Sequence, residues 1–144
     1  MKERKNPGTI ILILVTTATI IAVISLRKYS EFQREHYLKP AQTRNDILKI
    51  MSALIIYQKQ QGAYPGTNSY NIFLNYKLDP TYKTEIPIKD PWGQDYNYYS
   101  PGNDNLPYSI ISFGADNIEG GVGKDEDISS DPMLKEHLKK LKQQ

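Results

Sequence analysis

The chain has 144 residues, a formal net charge of +2 and no cysteine. This length suits one small domain with an anchor, and the lack of cysteine excludes disulfides, thiolate metal sites and a cysteine nucleophile. The nearly neutral charge leaves nucleic-acid binding without electrostatic support. Eleven tyrosines against three phenylalanines favour a thin core with half-buried aromatic rings.

An uncharged, proline-free segment, Thr9 to Leu26, comes first along the chain. At about 1.5 Å per residue it reaches roughly 27 Å as a helix, enough to cross a hydrocarbon core. Its threonine hydroxyls can bond back to their own helix. A cleaved secretory signal is the alternative, but no small-x-small site follows Leu26. We predict a membrane-spanning helix with the N-terminus in the cytoplasm, although the balanced basic flanks specify this orientation only weakly.

An amphipathic helix of about five turns is predicted after Pro40, which should kink or interrupt the preceding helix. The 3.6-residue spacing places six mostly apolar residues on a single face of this helix. The side chains that should point away from that face are Asp46, Lys49, Ser52 and Lys59. Gly62 provides the C-terminal cap and Pro65 closes the exit. The face consists of Ile47, Leu48, Met51, Leu54, Ile55 and Gln58.

Short elements follow in the middle of the chain. Ser69 to Leu78 could form a short helix, and Asp90-Pro91-Trp92-Gly93 forms a turn in which Trp92 plugs the core. Asp95–Ser100 and Tyr108–Phe113 are the best strand candidates. Pro101 to Asp104 supplies a turn between them, so the two strands are predicted to form an antiparallel hairpin.

A loop rich in glycine and acidic residues starts at Gly114. Gly120, Gly121 and Gly123 allow positive φ, so this loop can fold back and aim carbonyls inward. Five acidic side chains lie between Asp116 and Asp127, and such crowding favours a hard cation such as calcium. The loop lacks the histidine and cysteine ligands of zinc sites, and its spacing does not fit an EF-hand. A solvated acidic loop is the alternative that composition leaves open.

Several motifs resemble the major (G-type) pseudopilin of type II secretion, a member of the pilin-like superfamily. Gly62 to Pro65 (GAYP) ends the amphipathic helix, Asp90 to Gly93 (DPWG) forms the turn, and the acidic loop closes the series. The resemblance implies an α+β fold: a long N-terminal helix, half membrane-spanning and half amphipathic, packed on a small antiparallel sheet with a calcium-binding loop. Within the loop the matching residues are Ser112, Gly114, Ala115, Asp116, Gly120, Gly121, Asp127 and Ile128.

The resemblance also implies one structural calcium ion. Asp116 carries over as a ligand, and Phe113 is assigned to the same metal site. Asp125, Glu126 and Asp127 all lie near the second carboxylate position, and we rank Asp127 and Asp125 above Glu126. The family usually continues after the D-I pair with glycine, asparagine and tryptophan, whereas this chain has Ser129-Ser130-Asp131.

The expected processing site departs from the family pattern. Residues up to Gly8 could be a basic leader, but Thr9 stands where the family has phenylalanine and Ile13 where it has glutamate. That glutamate pairs in the family with the terminal amine of a neighbouring subunit, which isoleucine cannot do. We therefore predict inefficient cleavage after Gly8, or none.

These observations divide the chain into a leader-like segment (1–8), a transmembrane helix (9–26), an extracytoplasmic domain (27–131) and a basic tail (132–144). For the tail we predict a solvated helix, capped by Asp131, with a docking element as the alternative. The predicted function is assembly with other copies, other pseudopilins and inner-membrane platform proteins, with the domain in the periplasm. The alternative is a membrane-tethered calcium-binding module that does not polymerise. No catalytic set stands out, since His36 and His137 are far in sequence from the acidic loop, so we do not predict an enzyme.

Overall fold

The computed structural model describes residues 6–69 and 86–143. Short 3₁₀ turns lie at Thr67–Ser69, Asn103–Asn105 and Gly123–Asp125. The described strands form an antiparallel sheet in which they follow their order in the sequence. The chain divides into two compact units, residues 1–35 and 36–144. The main elements are α1 (Pro7–Gln33), a π-helical turn (Arg34–Leu38), α2 (Lys39–Gln61), β1 (Asn97–Tyr99), β2 (Ser109–Ser112), β3 (Ile128–Ser129) and α3 (Asp131–Leu141).

Helix α1 makes up most of the first unit and buries none of its residues. It contains the predicted apolar segment, and the helical stretch that holds it is long and apolar enough to cross a membrane by length and composition. Thr16, Thr17 and Thr19 each donate a hydroxyl hydrogen bond to the carbonyl three residues earlier, at 2.9, 2.9 and 2.8 Å. These bonds confirm that the threonines are satisfied within their own helix.

The predicted interruption at Pro40 is confirmed in the form of a π-helical turn. Pro40 lies in the first turn of α2 and has no N–H to donate to the carbonyl four residues earlier, at His36. The π-helical turn Arg34–Leu38 precedes it directly. Lost α-helical bonds near a proline are commonly accommodated by such a local change of helix type.

The apolar face of α2 packs on the core, but its composition differs from the prediction. Ile47, Met51 and Leu54 are buried as expected, and Ile50 and Ala53 join them. Leu48 is 47% exposed, so the buried face is rotated slightly from the one predicted. Asp46, expected to face solvent, is buried, and its carboxylate pairs with Lys49 Nζ at 2.9 Å. The helix ends at Gly62, which adopts φ +82° and donates its N–H to the Gln58 carbonyl, as predicted.

The predicted hairpin is confirmed with shorter strands. Residues Asn97–Tyr99 pair with Ser109–Ser112, and Tyr96 and Tyr98 both point to the core. Tyr98 donates its hydroxyl proton to the Pro65 carbonyl at 2.7 Å, which ties the end of the GAYP segment to the sheet. The helix predicted for Ser69–Leu78 lies almost wholly outside the described residues.

The sheet has a third strand that the sequence analysis missed. The two-residue strand β3 pairs with the end of β2, Ser112 opposite Ile128, and α2 packs against it. A strand this short shows no alternation of apolar and polar residues from which it could be recognised.

The C-terminal helix packs one face on the core of its own domain, so the prediction of a solvated helix is wrong, and the docking alternative stays a prediction. Leu134 is buried, and Met133 and Leu138 pack against the core. Ser130, and not Asp131, is the N-cap residue. Ser130 Oγ accepts the Ile110 N–H at 2.9 Å, and Asp131 Oδ1 accepts the Ser109 hydroxyl proton at 2.5 Å. These two bonds attach the start of α3 to strand β2.

Candidate functional site

The acidic loop connects β2 to β3 and closes tightly on itself. Gly114, Gly121 and Gly123 have φ of +65°, +83° and +66°, as their type allows. A Cβ on Gly121 would lie 2.3 Å from the Asp125 carbonyl oxygen. The Ala115 N–H donates to the Lys124 carbonyl at 3.0 Å. Backbone therefore approaches backbone across the loop, at a distance that only glycine permits.

The carboxylate of Asp127 is held at the end of this loop with one oxygen satisfied. Its Oδ2 accepts the Gly120 N–H at 2.9 Å. Its Oδ1 is buried and has no hydrogen-bond partner. A buried carboxylate oxygen without a partner is costly, and such atoms in native proteins commonly mark an ion or a functional group.

The other predicted ligands lie around the same loop in different environments. Asp116 is exposed, and its Oδ1 accepts the Ile118 N–H at 3.2 Å. Asp125 Oδ1 contacts Lys124 Nζ at 2.5 Å. Glu126 is exposed and Phe113 is half-buried. Within residues 6–69 and 86–143, no three acidic or histidine side chains are gathered as a metal cluster.

The residues nevertheless fit a calcium ion better than they fit a metal held only by side chains. Calcium accepts backbone carbonyls together with carboxylates, and the glycine-rich closure brings the backbone of Asp125 close to Gly114 and Gly121. The unpartnered Oδ1 of Asp127 is an available anionic ligand.

A residue that the sequence analysis set apart from this loop lies beside it. A Cβ on Gly123 would be 3.4 Å from His36 Nδ1, although 86 positions separate the two residues in the sequence. The loop is thus packed near the start of α2. No local sequence pattern signals this contact, because it depends on the fold of the whole domain.

The turn at Asp90 supports the site at the end of β2 from which the acidic loop departs. Asp90 is buried, and its Oδ1 accepts the N–H groups of Trp92 and Gln94 at 3.0 and 2.9 Å. Its Oδ2 accepts the Ser112 hydroxyl proton at 2.6 Å, and Gly93 has φ +88°. The turn prediction is confirmed, and Trp92 packs partly buried against the core. Because Ser112 ends β2, this bond fixes the point where the acidic loop departs.

Comparisons with known proteins agree with this architecture. Residues 32–131 match the family model described as type II secretion system (T2SS), protein G. The chain is 31% identical over 142 residues to the type II secretion system core protein G of Pseudomonas aeruginosa, covering 90% of this chain and 98% of that protein. It is 29% identical over 140 residues to the core protein G of Vibrio cholerae, covering 90% and 94%.

A solved structure resembles the fold. The crystal structure of the major pseudopilin from the type 2 secretion system of enterohaemorrhagic Escherichia coli aligns with a TM-score of 0.50 at 24% identity. The alignment covers 64% of this chain and 85% of that one. At this level of identity the match concerns the fold alone.

Proposed function

This chain belongs to the type II secretion system protein G family, and we propose that it is a major pseudopilus subunit that assembles with its own copies and with other pseudopilins. The observation that carries the proposal is the family match over residues 32–131 joined to an apolar helix with no buried residue. A helix that exposes leucine, isoleucine and valine from Ile10 to Leu26 needs lipid or other helices around it. Pseudopilin assembly supplies both environments.

The same helix supports a location in the bacterial inner membrane with the domain in the periplasm. Among residues 6–69 and 86–143, the N-terminal helical stretch alone is long and apolar enough to span a membrane, and the domain from His36 onward would lie in the periplasm. We propose that the membrane-anchored chain then contacts the inner-membrane platform proteins of the secretion machine.

Calcium binding is the second part of the proposal. The carboxylates would come from Asp127, Asp116 and Asp125. The backbone carbonyls of Phe113 and of its neighbours in the loop would complete the ligand set. The buried, unpartnered Oδ1 of Asp127 supports this assignment, since a cation would satisfy it. The ion would act structurally by holding the loop closed and by neutralising part of its charge.

The role is structural and not enzymatic. His36 lies beside the loop at Gly123. The family to which the chain belongs is one of secretion-system subunits. We propose that the domain works by presenting surfaces and not by chemistry.

The N-terminus favours assembly without efficient processing. Asn6 caps α1 by accepting the Gly8 N–H on its side-chain oxygen at 3.1 Å. The Gly8–Thr9 bond therefore lies in the first turn of a helix, where a peptidase reaches the backbone less readily. Mass spectrometry of the mature terminus tests this proposal. A chain beginning at methylated Thr9 would contradict it and would leave the pseudopilus proposal intact.

The test of the proposed function is polymerisation in the membrane that holds the secretion machine. We expect the overproduced full-length chain to form sedimentable filaments, and its deletion to abolish export by that machine. A membrane-tethered calcium module is the second candidate, favoured by Ile13 in place of the family glutamate. Membrane-bound chains that never polymerise would support that candidate and overturn the first.

A further inference from the structure

An apolar groove runs between α2 and α3 and is not used by the proposed calcium site. It encloses about 290 Å³. Its floor holds Tyr64 and Tyr108, whose rings meet edge to face with centroids 4.9 Å apart. Helix α2 lines one side with Leu48, Met51, Ser52 and Ile55, and α3 lines the other with Met133, Leu134, His137, Leu138 and Leu141. The volume is at the lower limit of small-molecule pockets and suits a few aliphatic side chains.

The acidic loop carries two apolar side chains that project into solvent. Val122 is 84% exposed and Ile118 is 65% exposed. Val122 has the highest exposure among the large apolar side chains of the described residues. Apolar residues held outward on a glycine-closed loop are candidates for contact with a partner.

Val122 and the exposed wall of the groove are far apart within one chain. Gly123, next to Val122, lies beside His36, whereas Ser52 lies on the α2 wall of the groove. Ser52 follows His36 by sixteen helical positions, which corresponds to about 24 Å along the axis. We therefore expect Val122 of one chain to reach Ser52 only in another molecule.

The two segments carry opposite charge. The loop from Gly114 to Asp127 has five carboxylates and one lysine, and the segment from Asp131 to Lys142 has four lysines and two carboxylates. One bound calcium ion would leave the loop acidic. Oppositely charged patches orient an encounter and select against the reverse orientation.

We propose that the acidic loop of one copy docks in the α2–α3 groove of a second copy, with Val122 and Ile118 inserted among its apolar side chains. The contact joins two different patches on identical chains, so it is heterologous, and it extends into an open polymer when the rotation between partners does not close a ring. This inference rests on the proposed pseudopilus function. It adds a specific contact between the globular domains of neighbouring copies, which are displaced from each other along the filament.

Cysteine cross-linking of the full-length chain tests the contact directly, because the natural sequence has no cysteine. In membranes that contain the secretion machine, the double variant Val122→Cys with Ser52→Cys should give a ladder of covalent oligomers after mild oxidation. A disulfide requires Cα atoms roughly 4–7 Å apart, so the pair cannot close within one chain. Packed thiols have a millimolar effective concentration, and we expect about tenfold more product than from the control pair.

The matched control is Val122→Cys with Gln42→Cys. Gln42 is exposed on the same helix but lines a different surface, with Asp46 and Lys49. Ser52→Trp blocks the groove from its exposed wall and should shorten the polymers, while Gln42→Trp should not. Raising the salt concentration to about 1 M should slow the cross-link, because it screens attraction between exposed charges.

The outcomes separate the docking proposal from the proposed function. Filaments that form normally while the Val122–Ser52 pair reacts no faster than the control overturn the docking contact and keep the pseudopilin role. A cross-link from Ser52 to a different protein, without self-linkage, also overturns it. A Val122–Ser52 ladder that Gln42→Trp retains, together with polymers that Ser52→Trp shortens and Gln42→Trp does not, supports it. Absence of any polymer removes the proposed function itself.

Discussion

Two carboxylates near the Ser112 end of β2 are treated very differently by this fold. Asp90 accepts three hydrogen bonds, from two backbone N–H groups and the Ser112 hydroxyl. Asp127 accepts one, from Gly120, and keeps a buried oxygen without a partner. The first carboxylate is satisfied by the protein alone, so its contribution to stability should not depend on any ion. The second is satisfied only in part, so its contribution should depend on a cation.

The largest expected effect comes from removing the satisfied carboxylate. Asp90→Ala leaves the turn N–H groups and the buried Ser112 hydroxyl without their acceptor. Hydrogen bonds to a charged group contribute about 1.5–3 kcal/mol each, and with partial compensation by water we expect a loss of about 4 kcal/mol. Thermal denaturation of a soluble version that begins at Lys28 measures it, with and without calcium.

The control is Asp95→Ala in the same region. Asp95 pairs with Lys89 at 2.9 Å, but its side chain is 75% exposed, so its loss should change the stability by about 0.5 kcal/mol or less. The comparison would fail if the stability lost on Asp90→Ala depended on calcium, because the contribution of the Asp90 turn would then depend on the ion.

Calcium removal is the next largest effect. A ligand that binds only the folded state stabilises it by about 2.7 kcal/mol at a hundredfold excess over Kd. A chelator should therefore lower the melting temperature of the wild-type domain by roughly 10 °C or more, since 1 kcal/mol corresponds to about 4–8 °C. Asp127→Ala and Asp116→Ala should each remove this response and resemble the chelated wild type.

Asp125→Ala decides between neighbouring carboxylates. An effect at Asp125 but not at Asp127 would move the ligand by two residues and leave the orphaned Oδ1 without a cation. Identical melting curves with calcium and with chelator would make the loop an ordinary solvated turn. Asp90→Ala is the internal reference here, because its calcium response should remain as large as in the wild type.

Substitutions of the glycines that close the acidic loop should have a smaller effect on stability. Two adjacent glycines, Gly120 and Gly121, separate the cost of backbone strain from the cost of a blocked close approach. Both Gly120 and Gly121 have positive φ, but a Cβ on Gly121 would meet the Asp125 carbonyl at 2.3 Å, whereas one on Gly120 would meet nothing within 4 Å. Gly120→Ala should therefore cost about 1 kcal/mol for backbone strain, and Gly121→Ala about 2–3 kcal/mol with weaker calcium binding. Equal losses in calorimetry and equal calcium affinities would show that the close approach to Asp125 is unimportant.

The smallest expected effect comes from replacing Lys124, the lysine inside the acidic loop. Lys124 Nζ contacts Asp125 Oδ1, the position where a calcium ion would need that carboxylate. Lys124→Met should raise calcium affinity about threefold in titration calorimetry and cost less than about 1 kcal/mol without calcium, since the pair is partly exposed. Lys89→Met breaks the exposed pair with Asp95 and serves as the control. Unchanged affinity would remove Asp125 from the ligand set.

Local chemistry was sufficient to predict several elements of this protein. The uncharged run to Leu26, the glycine cap at Gly62, the DPWG turn and the alternation around Tyr96 and Tyr98 each depend on residues within a few positions of one another. The glycines of the acidic loop were recognised for the same reason, because positive φ is a property of the residue itself. A resemblance carried by such local motifs also identified the family.

Tertiary structure alone decided which polar groups are buried and what they meet. The burial of Asp46, the third strand at Ile128, the packing of α3 through Leu134 and the position of His36 beside Gly123 all join distant parts of the chain. Whether a carboxylate is satisfied, like Asp90, or left with an orphaned oxygen, like Asp127, depends on those distant neighbours. Residue type predicts that a carboxylate needs partners, but only the packed domain determines how many it receives, because burial removes the water that would otherwise supply them.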